Sequence, residues 1–189
     1  MNHAFWGPKY NEDYILSSIE NKSLKYEKFD KESELLKKAA KLIAESNIVG
    51  WYQGRSEWGA RALGNRSILA NPANKNMKNI INSKIKKRES FRPFAPSVLQ
   101  EDVVKFFECD IRSDFMNHIV KFKEKYVDIF PSVCHVDHTA RLQTVNIDNN
   151  PLFYRLITEL KKVTGYGIIL NTSFNENEPI VDTPDQAID

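Results

Sequence analysis

The chain reads as an α/β (α+β) protein built on a twisted, open, mixed sheet with flanking helices. Three observations carry that expectation. Short apolar runs at 48–52, 67–70, 97–99, 141–145 and 167–170 have strand length and are bounded by polar, Gly or Pro residues. Segments with helical period stand between them. The two kinds interleave without strict strand–helix–strand alternation, which argues against a purely parallel sheet.

Taken in order, residues 1–22 form a lead-in whose first ten residues are aromatic and broken by Gly7-Pro8. Asn11 is expected to cap a helix through Glu20, with Glu12 and Asp13 favourable in its first turn. Residues 24–29 alternate like an edge strand. Asp30 then caps a helix with Leu35, Leu36, Ala39, Leu42 and Ile43 on one face, ended by Asn47. The strand at 48–52 delivers the chain into a glycine-arginine loop, and 67–70 continues as a strand. Asn74 is expected to cap a helix to about Lys87, with Met77, Ile80, Ile81 and Ile85 in one stripe. Residues 91–96 cannot be helical, because Pro93 and Pro96 disfavour helix in the residue before each. A strand at 97–99, a short helix at 100–107 and strands at 115–122 and 141–145 follow. Asn150-Pro151 opens a helix to Lys162 with proline at its first position, and Gly165 stops it. Residues 167–170 are a buried strand, 171–175 a polar turn, and Thr183-Pro184-Asp185 begins another helix.

The 189 residues suit one domain, 1–189, with a full core, and 41% hydrophobic with 28% charged residues is an ordinary globular composition. No apolar run approaches a membrane span, and Met1-Asn2-His3 opens no secretory signal, so a cytoplasmic protein without membrane contact is expected. Cys109 and Cys134 lack metal-ligand spacing and are expected to be reduced thiols. His135, Asp137 and His138 have a spacing compatible with one loop metal site but no fourth ligand. They read better as a polar turn that orients Arg141, and no metal ligands are assigned.

Residues 53–67 hold the chemistry. Arg55, Arg61 and Arg66 lie among Gly54, Gly59 and Gly64, with only Glu57 to balance them. Guanidinium forks fit phosphate and carboxylate oxygens, and glycine lets backbone approach a ligand closely. From Gln53 to Leu99 there are ten Lys or Arg against two Asp or Glu, an excess of eight in a chain whose net charge is +2. That asymmetry marks a local anion site. The interleaved Ile68, Leu69, Ile80, Ile81, Ile85, Phe91 and Phe94 read as core, as do Trp51 and, narrowly, Trp58. Nucleic acid is therefore disfavoured as a partner. Glu57 is read as a base or as an ion-pair partner of Arg55 or Arg61. Lys84 and Lys87 read as a solvated helix face.

Four stretches together carry a resemblance. They are 54–69 (Gly-Arg-Ser-Glu-Trp-Gly-Ala-Arg-Ala-Leu-Gly-Asn-Arg-Ser-Ile-Leu), 86–98 (Lys-Lys-Arg-Glu-Ser-Phe-Arg-Pro-Phe-Ala-Pro-Ser-Val), 135–145 (His-Val-Asp-His-Thr-Ala-Arg-Leu-Gln-Thr-Val) and 170–181 (Leu-Asn-Thr-Ser-Phe-Asn-Glu-Asn-Glu-Pro-Ile-Val). In this order and spacing the chain resembles the C-terminal domain of the O-carbamoyltransferases that modify antibiotics and nodulation factors, from Trp6 onward. The resemblance implies a YrdC/Sua5-like fold with a basic cavity that uses ATP, Mg2+ and carbamoyl phosphate to make a carbamoyl-adenylate. It implies as partner an N-terminal Kae1-like domain of the same polypeptide, similar to tRNA-threonylcarbamoylation metalloproteins, which binds a metal and the hydroxyl acceptor. A homodimer is a further assembly to be tested. Carried over by motif, Lys86, Arg92 and Arg141 would be catalytic, and Arg55, Arg61, Arg66, Lys86, Arg92, Arg141, Asn171 and Ser173 would hold nucleotide and carbamoyl group. Clustered cations would offset the repulsion of two anionic substrates. Two positions depart from the family pattern. Ala60 stands where proline is common, and His138 where glycine is common, so His138 is expected to add bulk beside Arg141. An RNA-binding module and a non-catalytic interaction domain are the alternatives.

Overall fold

The structure, a computed structural model, describes residues 3–189; Met1 and Asn2, the first residues of the expected lead-in, lie outside the described residues. Seven helices and six strands follow among the described residues. They are α1 (Glu12–Asn21), α2 (Glu32–Ala44), β1 (Val49–Tyr52), β2 (Arg66–Ala70), α3 (Met77–Ile80), β3 (Ala95–Leu99), α4 (Val103–Phe106), β4 (His118–Lys121), α5 (Glu124–Val127), β5 (Thr139–Val145), α6 (Pro151–Thr164), β6 (Ile168–Ser173) and α7 (Pro184–Ile188). No helix among the described residues is long and apolar enough to cross a membrane.

The strands form one six-stranded sheet in the order β1-β2-β6-β3-β5-β4. β3 and β5 are parallel and every other pair is antiparallel, so the sheet is mixed, as the sequence predicts. Successive strand side chains point to opposite faces, and β6 shows how this divides the core. Ile168 and Leu170 join one apolar cluster with Met77, Ile81, Phe106, Phe122 and Phe130, while Ile169 joins Leu36, Ile43, Phe153 and Leu156 of α2 and α6 on the other face. Arg141 and Gln143 share their face of β5 with Val145, and Asn171 shares its face of β6 with Ile169. The apolar face under α2 and α6 thus gives way, along the same strands, to a polar zone.

Local chemistry explains the boundaries. Asn11 caps α1 by accepting from the Tyr14 N–H, Asn150 caps α6 by accepting from the Phe153 N–H, and Thr183 with Gln186 closes a capping box on α7. Elsewhere the structure corrects the sequence reading. Residues 24–29 form no strand; Leu24 and Tyr26 are exposed, so neither face of that alternation is buried. α2 starts at Glu32 without a side-chain cap from Asp30. Asn74 turns its side chain to the Asn76 N–H at 2.9 Å, and helix begins only at Met77. α3 then widens into a π turn at Ile81–Ile85 and stops at Lys87, whose φ is 44°. The strand expected at 115–122 is confined to β4, and α5 was not foreseen. Residues 171–173, read as a polar turn, are the end of β6. Their polarity reflects hydrogen bonding within the sheet layer, not a chain reversal.

Candidate functional site

The polar zone opens into a cavity of about 300 Å³. Arg61, Arg88, Arg92 and Arg141 line it together with His135, Asn171, Thr172 and Ser173, and Phe94, Ala95, Met116 and Ile119 supply apolar wall. No carboxylate is among the described residues that line it. The four guanidinium groups come from the glycine-arginine loop, the turn after the π segment, and β5, and are brought together by the β2-β6-β3-β5 order.

Beneath the cavity lies a fixed hydrogen-bond chain. Gln143 Nε2 donates to the Leu63 carbonyl at 2.9 Å, and its Oε1 accepts from Ser97 Oγ at 2.5 Å and from Asn171 Nδ2 at 2.9 Å. Asn171 Nδ2 also donates to the Ala62 carbonyl at 3.2 Å. A carbonyl can only accept, so the orientation of the Asn171 amide is set. Its Oδ1 is left buried and without a partner, and so is Nε of Arg141. Both residues line the cavity, and each carries into its wall a desolvated polar atom without a partner, which is a costly arrangement. Burial, and then the charges of Arg61 and Arg88, push the Arg141 guanidinium below its ordinary range. Burial likewise lowers Arg88 and His135, the latter opposed by Asp137.

The other expected residues divide. Arg61 and Arg92 line the cavity from its exposed rim, with Arg92 Nε held by Glu89 at 2.9 Å. Ser173 lines it too, its hydroxyl donating to Asn175 Oδ1 at 2.6 Å. Lys86 does not line it. It is 3% exposed, and its ammonium donates to Ser173 O (2.6 Å), Asn175 O (2.8 Å) and Asn175 Oδ1 (2.7 Å), with Ser173 Oγ at 3.3 Å. Burial, and then Arg88, bring it down to about 8. Lys86 therefore fastens the turn after β6 from behind the cavity wall.

Arg55 and Arg66 lie outside the cavity. Arg55 donates to the Gly7 carbonyl at 3.0 Å on the far side of the loop. Arg66 is fully buried, donating to the carbonyls of Gln53 (2.6 Å), Asn65 (2.9 Å) and Gly54 (3.2 Å) and stacking 3.6 Å from the Tyr52 ring centre. Its terminal nitrogens go to the backbone of the loop, while its Nε is buried without a partner. Glu57 acts alike: one carboxylate oxygen accepts from the N–H groups of Leu63 (2.8 Å), Asn65 (2.7 Å) and Arg66 (3.2 Å), so it folds the loop, and among the described residues it forms no ion pair with Arg55 or Arg61. Gly64, at φ 108°, lies so close to Phe153 that an added Cβ would stand 2.3 Å from the ring.

Three further expectations change. His138 takes φ 64°, the backbone conformation for which glycine is favoured, and its ring turns to Glu124, with 3.4 Å between Nδ1 and Oε2; it does not line the cavity. Trp58 and Phe91, read as core, are each 74% exposed. Arg88 and His135 were not singled out as site residues, though the signal was present. Arg88 stands two residues after Lys86 in the same basic run, and His135 opens the segment that ends at Arg141.

A family profile described as carbamoyltransferase C-terminus matches residues 40–189, and the chain belongs to that family. It is 44% identical over 195 residues to nodulation protein NolNO of Sinorhizobium fredii, covering all of this chain and 28% of that protein. It is 39% identical over 135 residues to the 3'-hydroxymethylcephem-O-carbamoyltransferase of Amycolatopsis lactamdurans, covering 71% of this chain and 25% of that enzyme. The chain thus spans about a quarter of the length of these relatives. Full-length HypF, solved in a phosphate- and nucleotide-bound form, superposes with a TM-score of 0.55 at 21% identity, over 86% of this chain and 20% of HypF; that likeness is one of fold alone.

Proposed function

We propose that this chain is the part of an O-carbamoyltransferase that binds ATP and carbamoyl phosphate and joins them into carbamoyl-adenylate, for transfer to a hydroxyl acceptor held by an upstream, Kae1-like part of the same polypeptide. The observation that carries the reading is a cavity lined by Arg61, Arg88, Arg92 and Arg141, with Asn171 and Ser173 in its wall and no carboxylate among the described lining residues. Guanidinium forks suit the phosphates of both substrates, and the polar side chains suit a carbamoyl group.

Carbamoyl phosphate, ATP and one water give carbamoyl-adenylate, phosphate and pyrophosphate. The carbamoyl–phosphate link breaks as the oxygen of water bonds in its place, leaving carbamate and phosphate, with the water's proton going to phosphate; a carbamate oxygen then bonds to the α-phosphorus as the bond to the leaving pyrophosphate breaks. Arg61, Arg88, Arg92 and Arg141 would hold the phosphates and spread the charge that grows on the leaving pyrophosphate. Asn171 would orient the carbamoyl group, since Ala62, Ser97 and Gln143 fix its amide. Lys86 would act by holding Ser173. The described lining residues offer no carboxylate, so magnesium would ride on the triphosphate's own oxygens and water. A cytoplasmic setting suits the two free thiols.

Calorimetric titration with Mg·ATP, with and without carbamoyl phosphate, tests the reading. Binding that Arg141→Ala weakens by about tenfold or more supports it, and equal binding by both proteins sinks it. No hydroxyl acceptor is expected to be carbamoylated by this chain alone, and product from the purified chain would overturn that. Trp58 and Phe91, exposed near the cavity cations, favour one second reading, a single-stranded RNA surface. RNA binding that falls steeply with salt, with no nucleotide binding, would select it.

A further inference from the structure

The lead-in does more than precede the domain. Its backbone pairs with the glycine-arginine loop: the Trp58 N–H donates to the Ala4 carbonyl (2.6 Å), the Gly7 N–H to Ser56 (3.1 Å), and the Ser56 N–H to Pro8 (3.1 Å). Arg55 adds its bond to the Gly7 carbonyl. Ala4 is buried in a small apolar cluster with Leu63, Ala95 and Met116, against which Phe5 packs. Ala95 and Met116 also line the cavity, so the lead-in stands behind its wall. Only Gly59, at φ 104°, separates the clamped Trp58 from the cavity residues Ala60, Arg61 and Ala62. The fit is close: a Cβ on Gly7 would stand 2.0 Å from Ser56 Oγ, which is itself bonded to Asp182 at 2.7 Å.

We propose that residues 4–8 are a positioning segment of the cavity, clamping the loop that presents Arg61 and backing the apolar wall. The matched family segment begins at residue 40, so the site is completed by residues outside it. In relatives several times longer than this chain, the clamp would also couple the loop to whatever the lead-in is joined to. Only the ligand arm of the test rests on the carbamoyl-adenylate reading; the exchange arm stands without it.

The test compares hydrogen exchange of backbone amides with pyrophosphate affinity in the full chain. Gly7→Val should speed exchange at the hydrogen-bonded loop amides of Ser56, Trp58, Leu63 and Asn65 by about tenfold, the worth of one lost hydrogen bond, while amides of α6 stay protected. Pyrophosphate affinity should fall by a similar factor. Gly7→Ala should do the same more weakly, and adding Ser56→Ala, which removes the atom the new methyl meets, should restore both measurements. Such rescue would not follow from general destabilisation. Unchanged loop exchange in Gly7→Val overturns the clamp, and faster exchange with unchanged affinity overturns its positioning role. If Gly7→Val exchanges fast everywhere, the Gly7→Ala and Ser56→Ala pair decides by rescue or its absence. If the wild-type chain binds no pyrophosphate, the cavity reading fails, and local loop exchange alone upholds or overturns the clamp.

Discussion

Arg66 and Arg141 are the same residue in similar settings, yet they have opposite roles. Each stands on a strand, and burial lowers the pKa of each guanidinium. Both keep a buried Nε without a partner. The terminal nitrogens of Arg66 donate to three backbone carbonyls and its plane lies on Tyr52, so it is a brace for the loop. The Arg141 side chain makes no hydrogen bond or ion pair among the described residues and lines an arginine-rich cavity. A buried guanidinium whose terminal donors are taken by backbone is structure; one whose terminal donors are left over can take a ligand's oxygens.

The contrast breaks or sharpens in four ways. The largest effect is expected from Arg66→Ala, which orphans three carbonyls in a packed loop. Urea unfolding should show a loss of about 4 kcal/mol, near the upper end for a point substitution. A loss below about 1 kcal/mol would mean the brace is idle. Next, Arg141→Ala should leave the unfolding midpoint nearly unchanged but weaken Mg·ATP binding by about 1.5–3 kcal/mol, the range for hydrogen bonds to charged groups. Destabilisation matching Arg66→Ala would erase the distinction. Arg61→Ala and Arg92→Ala, at the exposed rim, should each weaken binding by about 1 kcal/mol, because water already solvates those charges; calorimetry at two salt concentrations should show the salt-sensitive part. The smallest effect is a pH dependence. Lys86 is held near 8 against an ordinary 10.5. Between those values the unfolded chain binds the proton more than the folded one, so stability rises with pH across that window. The stability gap between wild type and Lys86→Met should therefore widen from pH 8 to 10.5. The effect is small because four oxygens around the ammonium favour its charged form. A gap that narrows would mean that the folded chain holds the Lys86 proton more tightly than the unfolded one, the opposite of the lowered pKa.

Much of this was legible in the sequence. The five apolar runs became strands because each carries branched or aromatic side chains to a buried face, and Asn11, Asn150 and Thr183 capped helices as their side chains require. The run at 24–29 failed because alternation alone does not supply a neighbouring strand. Arg61, Arg92, Arg141, Asn171 and Ser173 meet in one cavity as the motif order implied. Arg55 and Arg66 do not, since residue type says nothing about whether a donor is already taken by a carbonyl. Trp58 and Phe91 were placed in the core because hydrophobicity was the only available measure, and burial of either depends on loop geometry that no local pattern encodes.

The place of β6 has a consequence for how the protein is made. It is the last strand in sequence but sits in the middle of the sheet, between β2 and β3. A chain emerging from the ribosome therefore carries two open strand edges, roughly a hundred residues old in the case of β2, until residues 168–173 arrive to fill the slot. Asn171 and Ser173 come with that same strand, so the cavity and the closed sheet are born in a single late event. Nascent chains stalled before residue 168 should be bound by chaperones and prone to aggregate, and completion of β6 should release them in one step.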